Sequence, residues 1–156
     1  SSVQDRTYGA ATSSTAEITA GGAFLRGHLS EPLIHRVCNV GLGDARMIGA
    51  ELKAAPPVSS SSPLRDPCHS IQKEHDRLRV YRLGIQPDQT TGRISYDFYG
   101  LTVVLGAAVI SVEDELHNET LISCSAGDAI WQSPRSNFTI SNLGQVEYRA
   151  IVAEWR

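Results

Sequence analysis

The chain has 156 residues, of which 41% are hydrophobic and 20% charged, enough apolar content for one ordinary core and far from the composition of a disordered chain. A formal charge of -3 at pH 7 excludes the basic stripe that nucleic-acid binding requires. No apolar run approaches the roughly 18 residues of a membrane-spanning helix, which leaves a soluble or peripherally associated protein.

From the N-terminus, "SSVQDRTYGAATSST" opens without a methionine, and the single Met is Met47; the expectation is a processed or partial chain. "EITAGGAF" (17–24) and "RMIGAEL" (46–52) read as strands with a glycine turn in the first. Residues 54–67, "AAPPVSSSSPLRDP", are rich in Pro and Ser and have little to bury, so an exposed linker is expected over 54–74. "KEHDRLRVYR" (73–82) interleaves Arg77, Arg79 and Arg82 with acids and reads as a solvated strand edge. "RVYRLGI" (79–85) and "EYRAIVAEW" (147–155) carry β-branched and aromatic residues with partial period-two alternation. "LTVVLGAAVISV" (101–112) reads as one buried strand that bends at Gly106. Asn-x-Gly in "NVGLGDA" and "NLGQVEY" marks tight turns. Short strands at close spacing, without a long amphipathic helix, predict an all-β sandwich or barrel. Cys38, Cys68 and Cys124 are odd in number and widely spaced, giving neither a disulfide framework nor a metal knuckle. The triplets at Asn118 and Asn137 satisfy the glycan acceptor pattern, which also arises by chance.

The chain also resembles itself. "HRVCNVGLGDARMIGAELK" (35–53) lies on "FTISNLGQVEYRAIVAEWR" (138–156) without a gap, matching Asn39 to Asn142, Gly41 to Gly144, Arg46 to Arg149 and Glu51 to Glu154. Upstream, "TAGGAF" (19–24) resembles "SAGDAI" (125–130). Self-similarity in fixed order indicates a repeated structural unit, and the first copy lacks a counterpart of residues 78–105.

"QPDQTTGRISYDFYGLTVVLGAAVI" resembles the first sequence motif of the cupin superfamily and "AGDAIWQSPRSNFTISNLG" the second, with Asp128, Trp131, Pro134 and the Asn142-x-Gly144 turn in the expected order. "GGAF...PLIHRVCNVG" is similar to the second motif of a preceding unit. The resemblance implies a bicupin-like chain with a cupin-like double-stranded β-helix, a jelly-roll barrel, over 75–156. Residues 1–53 would be the later strands of an incomplete first unit packed on that barrel. Metal-binding members hold an ion with imidazoles and an acid. Carried onto this chain, the first-motif histidines fall on Ile94 and Tyr96, the acid falls near 100–102 where there is none, and the second-motif histidine falls on Phe138.

This substitution sets the functional expectations. No metal and no other cofactor is expected, and no catalytic residue is assigned, so a non-enzymatic role is favoured over catalysis. His35 occupies the ligand position of the incomplete unit and reads as a hydrogen-bonded structural histidine rather than a ligand. His28 lies in an irregular stretch, His69 and His75 sit near the linker with no metal spacing, and His117 is on an exposed turn. Resemblance to sugar epimerases would call for a His base and a Tyr acid, but no histidine is placed on the predicted inner face. The expected interior, filled by Ile94, Tyr96 and Phe138, leaves Tyr96, Tyr99, Trp131 and Phe138 as the candidate ligand-binding residues. The leading expectation is a metal-free binding, structural or accessory subunit whose exposed sheet edges meet a protein partner or a second copy. The alternative is a small-molecule binder or metal-independent isomerase. The resemblance, with the missing initiator Met, is compatible with a plastid or mitochondrial setting after removal of a targeting segment; the alternative is a cytoplasmic one.

Overall fold

The structure, a computed structural model, describes residues 1–7, 13–25, 34–60 and 62–156; His28 and Leu33 of the repeat region lie outside these. Two compact units divide the chain, Ser1–Met47 and Ile48–Arg156. Among the described residues every regular element is a β-strand, and no helix is long and apolar enough to cross a membrane.

The first unit is a three-stranded antiparallel sheet. Strands β1 (Ser2–Thr7), β2 (Ser14–Glu17) and β3 (His35–Asn39) are arranged in the order β2-β1-β3. The second unit has nine strands. A five-stranded sheet contains β4 (His69–His75), β5 (Leu78–Ile85), β7 (Gly100–Val104), β10 (Ala129–Gln132) and β12 (Tyr148–Trp155), ordered β10-β7-β12-β5-β4. A four-stranded sheet contains β6 (Ile94–Tyr96), β8 (Ala108–Glu113), β9 (Glu119–Cys124) and β11 (Arg135–Asn142), ordered β6-β11-β8-β9. Tyr81, Leu83 and Ile85 of the first sheet and Ile110, Val112, Phe138 and Ile140 of the second belong to one buried cluster, the sandwiched core that period-two patterning builds.

The internal repeat has a structural counterpart. Val3 pairs with Asn39 as Ile110 pairs with Asn142, and Ser2 pairs with Glu17 as Val109 pairs with Ser123. The sheet β2-β1-β3 thus follows the arrangement β9-β8-β11. The turns agree as well. Gly22 N–H donates to Thr19 O at 3.0 Å behind Gly21 (φ 78°), and Asp128 N–H donates to Ser125 O at 3.1 Å behind Gly127 (φ 92°). These left-handed positions explain why glycine recurs in both copies. Asn39 Oδ1 accepts from Gly41 N–H at 3.1 Å and its Nδ2 donates to Gly43 O at 2.8 Å. Asn142 does the same with Gly144 N–H (2.9 Å) and Val146 O (2.7 Å). The likeness stops there: "RMIGAEL" forms no strand, whereas its counterpart is β12. In the barrel β12 lies hydrogen-bonded between β5 and β7, and among the described residues the first unit has no equivalent strands to supply such a ladder.

Three further expectations are corrected. Residues 101–112 are two strands, not one bent strand: β7 and β8 lie in opposite sheets, and the chain changes sheet at Leu105–Ala107. The linker is shorter than 54–74, because His69–His75 is β4 and pairs with β5. Arg79 is not on a solvated edge. It is 1% exposed, and its Nη1 donates to both Glu154 oxygens at 3.0 Å while Nη2 donates to Glu74 at 2.7 Å. Tyr81 O–H donates to Glu154 Oε2 at 2.7 Å and its oxygen accepts from Leu64 N–H at 2.9 Å. Arg79 and Glu154 are cross-strand partners in the β5–β12 ladder, so the two buried charges meet by register.

Removing one partner of such a pair leaves a buried charge uncompensated. Arg79→Met is therefore expected to lower unfolding free energy by about 3–5 kcal/mol. Adding Glu154→Leu should restore part of the loss, as read from urea unfolding of the single and double variants.

Candidate functional site

The site begins with the bulge in β11. Arg135 pairs with Tyr96 and Phe138 pairs with Ile94, with the register shifted between Arg135 and Phe138. Asn137 takes up the irregularity at φ 60°. Residues three apart on a regular strand face opposite sides; the bulge changes this. Arg135 and Phe138 both line a cavity in the barrel, with the guanidinium carbon 4.8 Å from the centre of the Phe138 ring.

The cavity holds about 450 Å³, within the range of small-molecule sites. Its walls are apolar: Leu83 and Tyr148 from one sheet, Ile110, Val112, Phe138 and Ile140 from the other, with Trp131 and Pro134 also lining it. Trp131 is 60% exposed and lies 6.1 Å from Trp155, ring centre to ring centre. The polar members are few. Gln132 Nε2 donates to Thr102 Oγ1, and among the described residues Arg135 is the one charged member of the lining. Ile94, Tyr96 and Phe138 are buried in the core cluster as expected, and Tyr96 and Phe138 also border the cavity. Of the four candidate ligand-binding residues, Tyr96, Trp131 and Phe138 line it and Tyr99 does not. Tyr99 is half-buried, and its carbonyl accepts from Trp155 N–H at 2.8 Å.

Behind Tyr96 is a chain of buried polar groups that the sequence did not disclose. His69 Nε2 lies 2.7 Å from Tyr96 Oη and His69 Nδ1 lies 2.9 Å from Asp66 Oδ1. Asp66 Oδ1 also accepts from Cys68 N–H at 3.0 Å, and Oδ2 accepts from Gly92 N–H at 3.0 Å. A carboxylate only accepts, so Nδ1 carries the imidazole proton and Nε2 accepts from the Tyr96 hydroxyl. Burial lowers the pKa of His69, an effect that the Asp66 hydrogen bond and charge partly oppose. Burial foremost, with Tyr148 and Asp66 nearby, pushes the Tyr96 phenol well above its ordinary value. The pair is therefore neutral at physiological pH. The Cys68 and Cys124 thiols are raised, mainly by burial, and are poor thiolates.

These side chains do not suit a metal. Ile94 and Phe138 offer no donor atom, the Tyr96 oxygen is bonded to His69, and both His69 nitrogens are engaged. Tyr96 packs edge-on against Phe138 (5.1 Å) and stacks on Phe98 (5.0 Å). Among the described residues no group of three His, Cys, Asp or Glu side chains is arranged to hold an ion. His35 Nδ1 lies 2.8 Å from Asp5 Oδ1, a structural hydrogen bond. His117 is exposed beside Glu113 (2.9 Å), and His75 is exposed at the end of β4. The signal missed in the sequence was Asp66-x-x-His69 at the entry to a strand, hidden by the proline-rich stretch before it.

Two closed-over sheets with this connectivity define a double-stranded β-helix. More particularly, the barrel has the cupin fold. A cupin domain from Bordetella pertussis Tohama I is similar at a TM-score of 0.53 and 14% identity, over 56% of this chain and 91% of that one. A double-stranded β-helix protein from Klebsiella pneumoniae matches over 72% of this chain and 90% of its own, at 15% identity and a TM-score of 0.47. A Cupin 2 barrel protein from Salinispora arenicola matches over 72% and 91%, at 13% identity and a TM-score of 0.44. No protein-family model and no curated protein matches the sequence.

Two outcomes follow from the polar chain and the aromatic wall. Because His69 has a folded pKa below its unfolded value of about 6.5, its contribution to stability is complete above about pH 6.5. It declines as pH falls, where the unfolded chain takes up a proton that the folded one refuses. His69→Gln should flatten that part of the stability–pH curve between about pH 6.5 and 5; parallel curves for the two proteins would show that folding leaves the His69 pKa unshifted. Phe138→Ala should cost about 3 kcal/mol in urea unfolding, at the low end for buried Phe because the ring already borders open space.

Proposed function

We propose that this protein is a non-catalytic, metal-free cupin-fold binding protein whose barrel takes up a small, largely apolar molecule. The observation that carries this reading is the cavity of about 450 Å³ between the sheets, with apolar walls and few polar groups, the pattern of small-molecule sites. Non-catalytic action is supported by the chemistry around it. The Tyr96 proton is committed to His69, the phenol is held far from a neutral-range pKa, and among the described residues the lining contains no carboxylate or imidazole to move a proton.

A second reading, an accessory subunit that meets a protein partner, draws on the first unit. Among the described residues its outer strands β2 and β3 each pair on one side only, and Ile34, Val37 and Val40 in and beside β3 are 69%, 38% and 53% exposed. Open edges beside apolar side chains favour strand addition. In this reading residues 1–53 are a partial cupin unit kept for the partner rather than for a ligand.

The cavity reading is tested with the neutral fluorescent probe N-phenyl-1-naphthylamine. The protein should bind it with enhanced emission and with quenching of Trp131. Val112→Trp, which fills the cavity, should weaken binding by about tenfold or more, equivalent to about 1.4 kcal/mol. Undiminished binding by a folded Val112→Trp variant would place the probe elsewhere and end this reading.

A further inference from the structure

Two polar features of the cavity are unused by the barrel itself. Gln132 Oε1 is buried and has no hydrogen-bond partner among the described residues, while the other end of the amide is held by Thr102. A buried acceptor left unpaired is costly, and native structures that retain one generally have a use for it. The second feature is Arg135. The β11 bulge turns its guanidinium onto the cavity side, over the Phe138 ring. Among the described residues no carboxylate is hydrogen-bonded to it, although the Arg135 charge is felt by the Asp114 carboxyl, whose pKa it helps to lower. Its five N–H donors therefore remain available for an anion. Stacked on an aromatic face, the planar fork is also presented in a fixed orientation.

We propose that the ligand is a small amphipathic monocarboxylate. Resting on the cavity reading above, this assigns an apolar body to the walls formed by Ile110, Phe138 and Ile140. The carboxylate pairs with Arg135, and a hydroxyl or N–H on the ligand donates to Gln132 Oε1. A guanidinium matches a carboxylate in shape and supports two parallel charge-assisted hydrogen bonds. A phosphate monoester is disfavoured: it brings close to two negative charges, and among the described residues Arg135 is the lone cation in the lining. A purely hydrocarbon ligand would leave both polar groups unanswered as it displaced water from around them.

The test compares three probes by titration calorimetry with the full chain: 4-hydroxyphenylacetate, its neutral amide, and phenylacetate, which lacks the hydroxyl. The acid should bind about tenfold tighter than the amide, as a charge-assisted pair predicts, and Arg135→Gln should abolish that preference. Phenylacetate should bind several-fold more weakly than 4-hydroxyphenylacetate, a difference that Gln132→Leu should remove. Both variants should still bind N-phenyl-1-naphthylamine, which shows that the barrel and cavity are intact. Equal affinity for acid and amide, a preference that survives Arg135→Gln, or no binding of the acid by protein that binds the neutral probe would each overturn the inference while leaving the cavity reading in place. Failure of the unaltered protein to bind the neutral probe would remove both.

Discussion

The hydrogen bond from Tyr96 to His69, 2.7 Å long and shut off from solvent, is the interaction on which the barrel interior depends. It joins three parts of the chain that are distant in sequence: the segment entering β4, the loop that presents Gly92, and the short strand β6. Asp66 is the hub, since it orients the imidazole while accepting backbone N–H groups from Cys68 and Gly92. With both ring nitrogens engaged, His69 has one tautomer and one orientation, and Tyr96 is fixed in turn. Tyr96 then sets the positions of Phe98 and Phe138 through ring contacts. A wall of the cavity is thus held by a buried polar chain in which every donor and acceptor named here is satisfied, the condition under which such chains rigidify a core rather than weaken it.

The same arrangement decides what the interior does chemically. A cupin barrel places side chains from both sheets around one central space. In this chain most of the residues there are apolar, the Tyr96 hydroxyl is committed to His69, and burial holds the Tyr148 phenol above its ordinary pKa. Arg79 and Glu154, buried across the β5–β12 ladder, compensate each other's charge. At the β10–β11 end a bulge and a short edge strand bring Gln132 and Arg135 to the cavity. Apolar walls with a small polar group of this kind are the pattern of small-molecule sites.

Much of the fold was legible in the sequence because it is written in local patterns. Alternation marked β5 and β12. The turn residues Gly127, Asn142 and Gly144 marked the second motif, and the match of Asn39 to Asn142 extended into matching hydrogen bonds at both turns. The features that escaped are those decided by tertiary pairing. Gly106 punctuates an unbroken apolar stretch, and only the ladder partners of β7 and β8 show that the chain changes sheet there. Arg79 looks like surface until Glu154 is set opposite it across the β5–β12 ladder. His69 looks like part of a linker because Pro67 and the serines before it dominate the composition, while the partner that draws it inward, Tyr96, is 27 residues away. The cavity was illegible for a related reason: Tyr96, Trp131 and Phe138 were identifiable as interior or near-interior residues, but whether they meet or stand apart depends on the bulge in β11.

The most direct measurement is the position of a bound small molecule, read from intermolecular nuclear Overhauser effects in protein labelled at the isoleucine methyls and phenylalanine rings. A ligand in the barrel should give contacts to Ile110, Ile140 and Phe138 together, with Ile34 and Ile48 of the N-terminal region silent. Contacts confined to Ile34 and Ile48, with no effect at Phe138, would contradict a ligand-binding barrel and assign the protein's binding to its N-terminal region.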